Sequence, residues 1–105
     1  MVDIDIYFRV QVASGIMIRT TRSHWNLIIN VKHPEIANKE EQVQKCLADP
    51  LEIRRSSEDV NVYLYYVPQD RYYLCVVARH LNGDGFIITA YLTDKIKEGE
   101  TIWKK

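Results

Sequence analysis

"VNVYLYYVPQDRYYLCVVARHLNGDGFIITAYL", residues 60–92, holds three runs rich in β-branched and aromatic residues, separated by "PQD" and "HLNGDG". Such residues favour a pleated, half-buried surface. The separators carry proline, aspartate, asparagine and glycine, the residues that turn a chain. The pattern predicts strands over 60–67, 71–79 and 85–92. Short connections then make them antiparallel neighbours in chain order. "LEIRRS", 51–56, reads as a fourth strand ahead of them.

Upstream, Asp49-Pro50 closes a helix that starts after His33-Pro34 and runs to Ala48. Val43, Cys46 and Leu47 form its buried stripe, with Glu40, Glu41, Gln44 and Lys45 on the wet side. An earlier helix is expected over 24–32, capped by Ser23, with Trp25, Ile28 and Ile29 on one face. It ends at "VKHPEI", 31–36, because proline cannot continue the ladder and drives the preceding residue out of helical conformation. Lys32 and His33 thus stand at a forced boundary, where the helix dipole favours cations.

Before the helices, Val2, Ile4, Ile6, Phe8, Val10 and Val12 alternate with polar or amphipathic residues. The period of two predicts a strand, and Ala13-Ser14-Gly15 turns it into "IMIRT", 16–20, as a hairpin. At the other end, "TDKIKEGE" is a polar turn or loop and "TIWKK" supplies a last short strand. A hairpin, two helices and a four-stranded, mostly antiparallel sheet with helices on one face make an α+β domain. The expected core includes Trp25, Ile28, Val43, Leu47, Leu64, Val76, Ile88 and Ala90.

The 105 residues suit a single domain, 1–105, and the 47% hydrophobic content suffices for a modest core. Fourteen basic residues balance fourteen acidic ones, which argues against a general nucleic-acid coat but allows a local basic cleft. "MVDIDIYFRV" lacks the basic and apolar regions of a signal peptide, and no run is long enough to span a membrane. A cytoplasmic protein is expected, with Cys46 and Cys75 as free core thiols. His24, His33 and His80 have no metal-ligand spacing, and Gly83-Asp84-Gly85 lacks the Lys-Ser/Thr of a phosphate loop. No metal or cofactor is called for.

One face of the sheet leaves room for chemistry. Thr89 and Tyr91 share a side of the last core strand, Tyr63 and Tyr65 share a side of 60–67, and Arg54 and Arg55 must point oppositely. Tyrosine and threonine are also ordinary strand residues. A surface with Thr, Tyr and Arg, reached by Lys32-His33 from a helix end, would nonetheless offer cations for a phosphate and groups that move protons.

Trp25, "VKHPEI", Glu41 to Leu47, "DP", "IRRS", "VYLYY", "CVV" and "GDGFIITAYLTDKIKEGETIW" resemble a family of small bacterial domains. That family is similar to the phage-associated nucleases of the barnase–EndoU–colicin–RelE superfold. The resemblance covers about residues 19–105, leaving the hairpin of residues 1–20 as an extension to a core of 21–105. It implies a toxin-type, metal-independent endoribonuclease with RNA as substrate, no cofactor, and an antitoxin or immunity protein as partner. Carried over by position, it implies His33, Arg55, Thr89 and Tyr91 as catalytic residues, with Lys32 and Tyr65 binding substrate. His33 would act as acid or base, since histidine ordinarily titrates closest to neutrality. Two other classes fit the same residues. One is an inactive relative that docks a protein through its tyrosine-rich face, and the other a small-molecule or nucleotide-binding module.

Overall fold

The computed structural model describes residues 5–105. Val2 and Ile4 of the first predicted strand lie outside the described residues. The sheet has seven strands: β1 (Ile6–Gln11), β2 (Met17–Thr21), β3 (Glu52–Arg55), β4 (Val62–Gln69), β5 (Tyr72–His80), β6 (Asp84–Thr93) and β7 (Glu100–Lys104). Their spatial order is β1-β2-β6-β5-β4-β3-β7. β3 to β6 form the expected antiparallel meander, and β7 extends it beside β3. The β1–β2 hairpin joins the far side, with β2 parallel to the start of β6. The fold is α+β with one mixed sheet. Among the described residues, no helix is long and apolar enough to cross a membrane.

The helical region departs from two unbroken helices. Helix α1 spans Arg22–Leu27 and passes directly into a π-helical turn, Ile28–Lys32. Its cap is Thr21, not Ser23: the Thr21 hydroxyl accepts a bond from the His24 amide at 3.1 Å. The π turn closes with the His33 amide on the Ile28 carbonyl at 2.7 Å, five residues back. Pro34 then opens a 3-10 turn, Pro34–Ile36, so the boundary at His33 is where the proline dictates. The second predicted helix is interrupted here. Asn38 adopts φ 68°, a left-handed conformation that asparagine tolerates, and α2 begins only at Glu40 and runs to Ala48.

Helix α2 and the α1 region cover one face of the sheet. Trp25, Ile28, Ile36, Val43, Cys46 and Leu47 pack against Ile18, Tyr65, Leu74, Val76, Ala78, Ile87 and Ala90. Burial of large apolar side chains, worth about 1.5–3 kcal/mol each, makes this cluster the main source of stability. The opposite face has its own smaller cluster of Leu64, Tyr66 and Cys75, flanked by Tyr73, Val77, Tyr91 and Ile96. Cys46 and Cys75 are buried free thiols in these two separate clusters. Burial pushes the Cys75 thiol up to about 12 and raises Cys46 as well, so both stay protonated.

Ile88 is not in the core; Ile87 is. The ladder between β5 and β6 slips, pairing Val77 with Thr89 but Ala78 with Ile87. Ile88 is the extra residue of a β-bulge, and alternation resumes one step out of phase. The bulge falls where β6 loses its neighbour, since β2 pairs with β6 only from Asp84 to Phe86. There the His24 imidazole donates Nε2–H to the Ile88 carbonyl at 2.7 Å, which fixes the ring's tautomer.

His24→Ala should therefore leave a half-buried carbonyl without a donor and cost about 1–3 kcal/mol. Urea denaturation would register the loss as a lower midpoint with an unchanged slope.

Candidate functional site

The strand register sorts the six candidate residues onto two faces. Arg55 pairs with Tyr63, Tyr63 with Ala78 and Ala78 with Ile87, and this row lies under the helices. Arg54 pairs with Leu64, Leu64 with Val77 and Val77 with Thr89, and this row lies on the opposite face. Arg55 and Tyr65 therefore do not meet Thr89 and Tyr91, which corrects the single-face expectation. The reason is the cross-strand register: Tyr65 pairs with Val76 and Val76 with Ala90, so Tyr65 and Arg55 share the side on which α2 packs, opposite Thr89 and Tyr91.

His33, Thr89 and Tyr91 do come together. They line an open cleft of about 320 Å³ on the less covered face, with Tyr66, Thr93, Lys95, Lys97 and Glu98. The ring centroids of His33 and Tyr91 are 5.5 Å apart, inclined at 41°. Glu35 Oε2 stands 3.4 Å from His33 Nδ1, on the side of the imidazole held by the 3-10 turn. Lys32 is exposed and does not line the cleft. Lys95 and Lys97, from the loop after β6, supply the cations that Lys32 was expected to supply.

Two hydroxyls in this cleft, Tyr66 OH and Thr89 Oγ1, are buried and make no hydrogen bond of good geometry, although Tyr66 OH lies close to the Cys75 thiol and the Tyr91 phenol. Leaving such groups unmet costs about 1–3 kcal/mol each. Both can donate to an oxygen placed in the cleft. Burial raises the phenols of Tyr66 and Tyr91 well above the ordinary tyrosine range, so both keep their protons.

The same face carries a buried carboxylate beside the cleft. Glu52 is 4% exposed and accepts from Thr101 Oγ1 at 2.6 Å and Arg54 Nε at 2.8 Å. Burial alone would raise its pKa, but the bonds from Thr101 and Arg54 outweigh that and hold it below the ordinary range. Arg54 also donates to the Gly99 carbonyl at 3.3 Å, which draws the 94–99 loop over the sheet. Gly99 has φ 76°, and a Cβ there would collide with the Arg55 carbonyl, so the approach requires glycine. Arg54 shares the face with Thr89, but its guanidinium is already engaged.

On the helix-covered face, Arg55 and Tyr65 line a second recess of about 260 Å³ with Tyr63 and His80. Tyr65 OH and His80 Nε2 are hydrogen-bonded at 2.8 Å, and Tyr63 stacks on His80 with centroids 3.9 Å apart. Burial lowers the His80 pKa and raises that of Tyr65, so this pair rests neutral. Among the described residues, no three His, Cys, Asp or Glu side chains group as metal ligands.

The sequence alone did not single out Tyr66, Lys95, Lys97 and Glu98 in the first cleft or His80 in the second, whereas Tyr63 was already paired with Tyr65. Strand parity would have found Tyr66, since it alternates with Tyr65, and His80, which shares parity with Val76 and Ala78. The loop residues gave no such signal. Comparison with family models, curated proteins and solved structures returns no match.

Depressed pKa values at His80, at Glu52 and at Asp59, which Arg79 holds down through a hydrogen bond, set the acid response of stability. His80 binds its proton more weakly folded than unfolded, so its contribution is complete above the ordinary histidine pKa and is lost as pH falls through the folded value. Glu52 behaves likewise in the carboxylate range. Urea midpoints should therefore fall in two stages, the first setting in as pH drops below the ordinary histidine pKa and the second in the carboxylate range. His80→Gln should remove that first stage and leave the second.

Proposed function

We propose that this chain is a metal-independent endoribonuclease with its active site in the cleft of His33, Thr89 and Tyr91. The observation that carries the reading is the convergence, on one open cleft, of an imidazole, a carboxylate, two lysines and two buried hydroxyls that make no hydrogen bond of good geometry. Those are the groups that a phosphodiester requires: cations and donors for its oxygens, and two groups that exchange protons. The resemblance read from "VKHPEI" and "GFIITAYL" supports the same assignment.

RNA supplies its own nucleophile. The Glu98 carboxylate accepts the 2′-hydroxyl proton as the oxygen attacks the adjacent phosphorus. The bond from phosphorus to the 5′-oxygen breaks, and the His33 imidazolium gives that oxygen its proton. The products are a 2′,3′-cyclic phosphate and a 5′-hydroxyl. Lys95 and Lys97 face the negative charge on the phosphate, and Thr89 Oγ1–H and Tyr66 O–H donate to its non-bridging oxygens. Tyr91 keeps its proton and offers a ring on which a base can stack.

Purified protein, separated from any bound partner, should cleave total RNA in the presence of EDTA and leave 2′,3′-cyclic ends. An oligonucleotide with 2′-deoxyribose throughout should resist. His33→Ala and Glu98→Gln should each slow cleavage by about 10²- to 10⁴-fold. Removing both lysines should weaken RNA binding and flatten its salt dependence by about 0.7 per lost phosphate contact in the logarithmic slope. Absence of cleavage, or a His33→Ala variant as active as the parent, would refute the assignment.

A further inference from the structure

We infer that the second recess, on the helix-covered face, binds a small organic carboxylate with a flat apolar body. It does not depend on the nuclease reading, since the two clefts lie on opposite faces of the sheet. Arg55 is the starting point. Every other half-buried arginine of β2 to β5 has a carboxylate: Arg19 pairs with Asp84, Arg54 with Glu52 and Arg79 with Asp59. Arg55 has none within 4.0 Å among the described residues, and its Nε is buried with no hydrogen-bond partner. Its sole side-chain bond runs from Nη2 to Tyr63 OH, at 3.3 Å. A guanidinium held in a half-dry recess without an anion is costly, and its planar fork matches a carboxylate through two parallel bonds.

The rest of the recess specifies the body of the ligand. Leu47, Pro50, Ile53 and Ile102 give apolar walls, and the stacked Tyr63 and His80 rings give a flat one. The hydrogen-bonded Tyr65 and His80 leave at least one N–H or O–H free to donate to a second ligand oxygen. At about 260 Å³ the space falls below the roughly 300–1,000 Å³ of drug-sized pockets, so one ring and its carboxylate are what it can hold. An inorganic phosphate would satisfy Arg55 but leave the apolar walls wet.

The test is a titration of the intact chain with benzoate, followed by NMR through the Arg55 Nε–H and the His80 and Tyr63 ring resonances. Saturable shifts at these groups are expected, with Kd of about 1 mM or tighter. Benzamide, equal in size but uncharged, should bind about tenfold more weakly, a difference of ~1.4 kcal/mol. Arg55→Gln should abolish the response, with a urea melt showing that the variant is folded. Equal binding of benzoate and benzamide would overturn the inference, as would shifts confined to the Lys95 and Lys97 cleft. So would a response to inorganic phosphate but not to benzoate.

Discussion

A single hydrogen bond, from the His24 ring to the Ile88 carbonyl, fixes how helices and sheet meet. β6 has a strand neighbour on that side only as far as Phe86. Beyond it, the backbone needs another donor, since a half-buried carbonyl left without one costs free energy. The bulge presents Ile88 outward, and His24 meets it from α1. The helical segment is thereby pinned along the open margin of β6. The π turn and Pro34 then carry the chain past that margin, which is how His33 comes to stand beside Tyr91 on the face that the helices leave uncovered. The buried Trp25, Ile28 and Ile36 hold the same segment against the sheet, and the His24 bond sets its register along β6.

The sheet separates two chemically different environments. Under the helices, polar groups are few and held neutral, as the His80 and Tyr65 pair shows, and Arg55 stands out against an apolar lining. Across the sheet, lysines, carboxylates and hydroxyls gather within the reach of one loop. That loop is anchored by a buried network of Glu52, Arg54 and Thr101, in which two donors satisfy one carboxylate. Buried ion pairs often add little net stability. Here the network's clearer role is positional, since it ties β3 to β7 and, through Gly99, brings the lysine-bearing loop to the cleft.

Much of the architecture could be read from alternation and turn chemistry. The runs at 60–67, 71–79 and 85–92 became β4, β5 and β6 because their periodicity and short connections leave few other arrangements. The boundary at His33-Pro34 was equally legible, since proline imposes it. What sequence could not show was the bulge at Ile88, because a bulge keeps the composition of a strand while shifting its phase. That one-step shift exchanged Ile88 for Ile87 in the core. The break at Asn38 was hidden too: nothing in "EIANKEEQ" prevents helix, and asparagine's tolerance of the left-handed region permits a turn there without requiring one. The candidate site was half legible. His33, Thr89 and Tyr91 do meet, while Arg55 and Tyr65 lie across the sheet from them, because alternation fixes the faces within one strand but not the register that relates them to the faces of the next.

Tyr65 and Tyr66 are consecutive, and both are almost completely buried, one on each side of β4. This strand has no wet side to absorb an error of phase. Gain or loss of one residue within it would exchange the two linings, sending the partner of His80 into the lysine cleft and the free phenol under α2. A change of chain length at the centre of the sheet is thus costly on both faces at once. The exposed connection at 81–83 is where the chain can lengthen with least disturbance to either face.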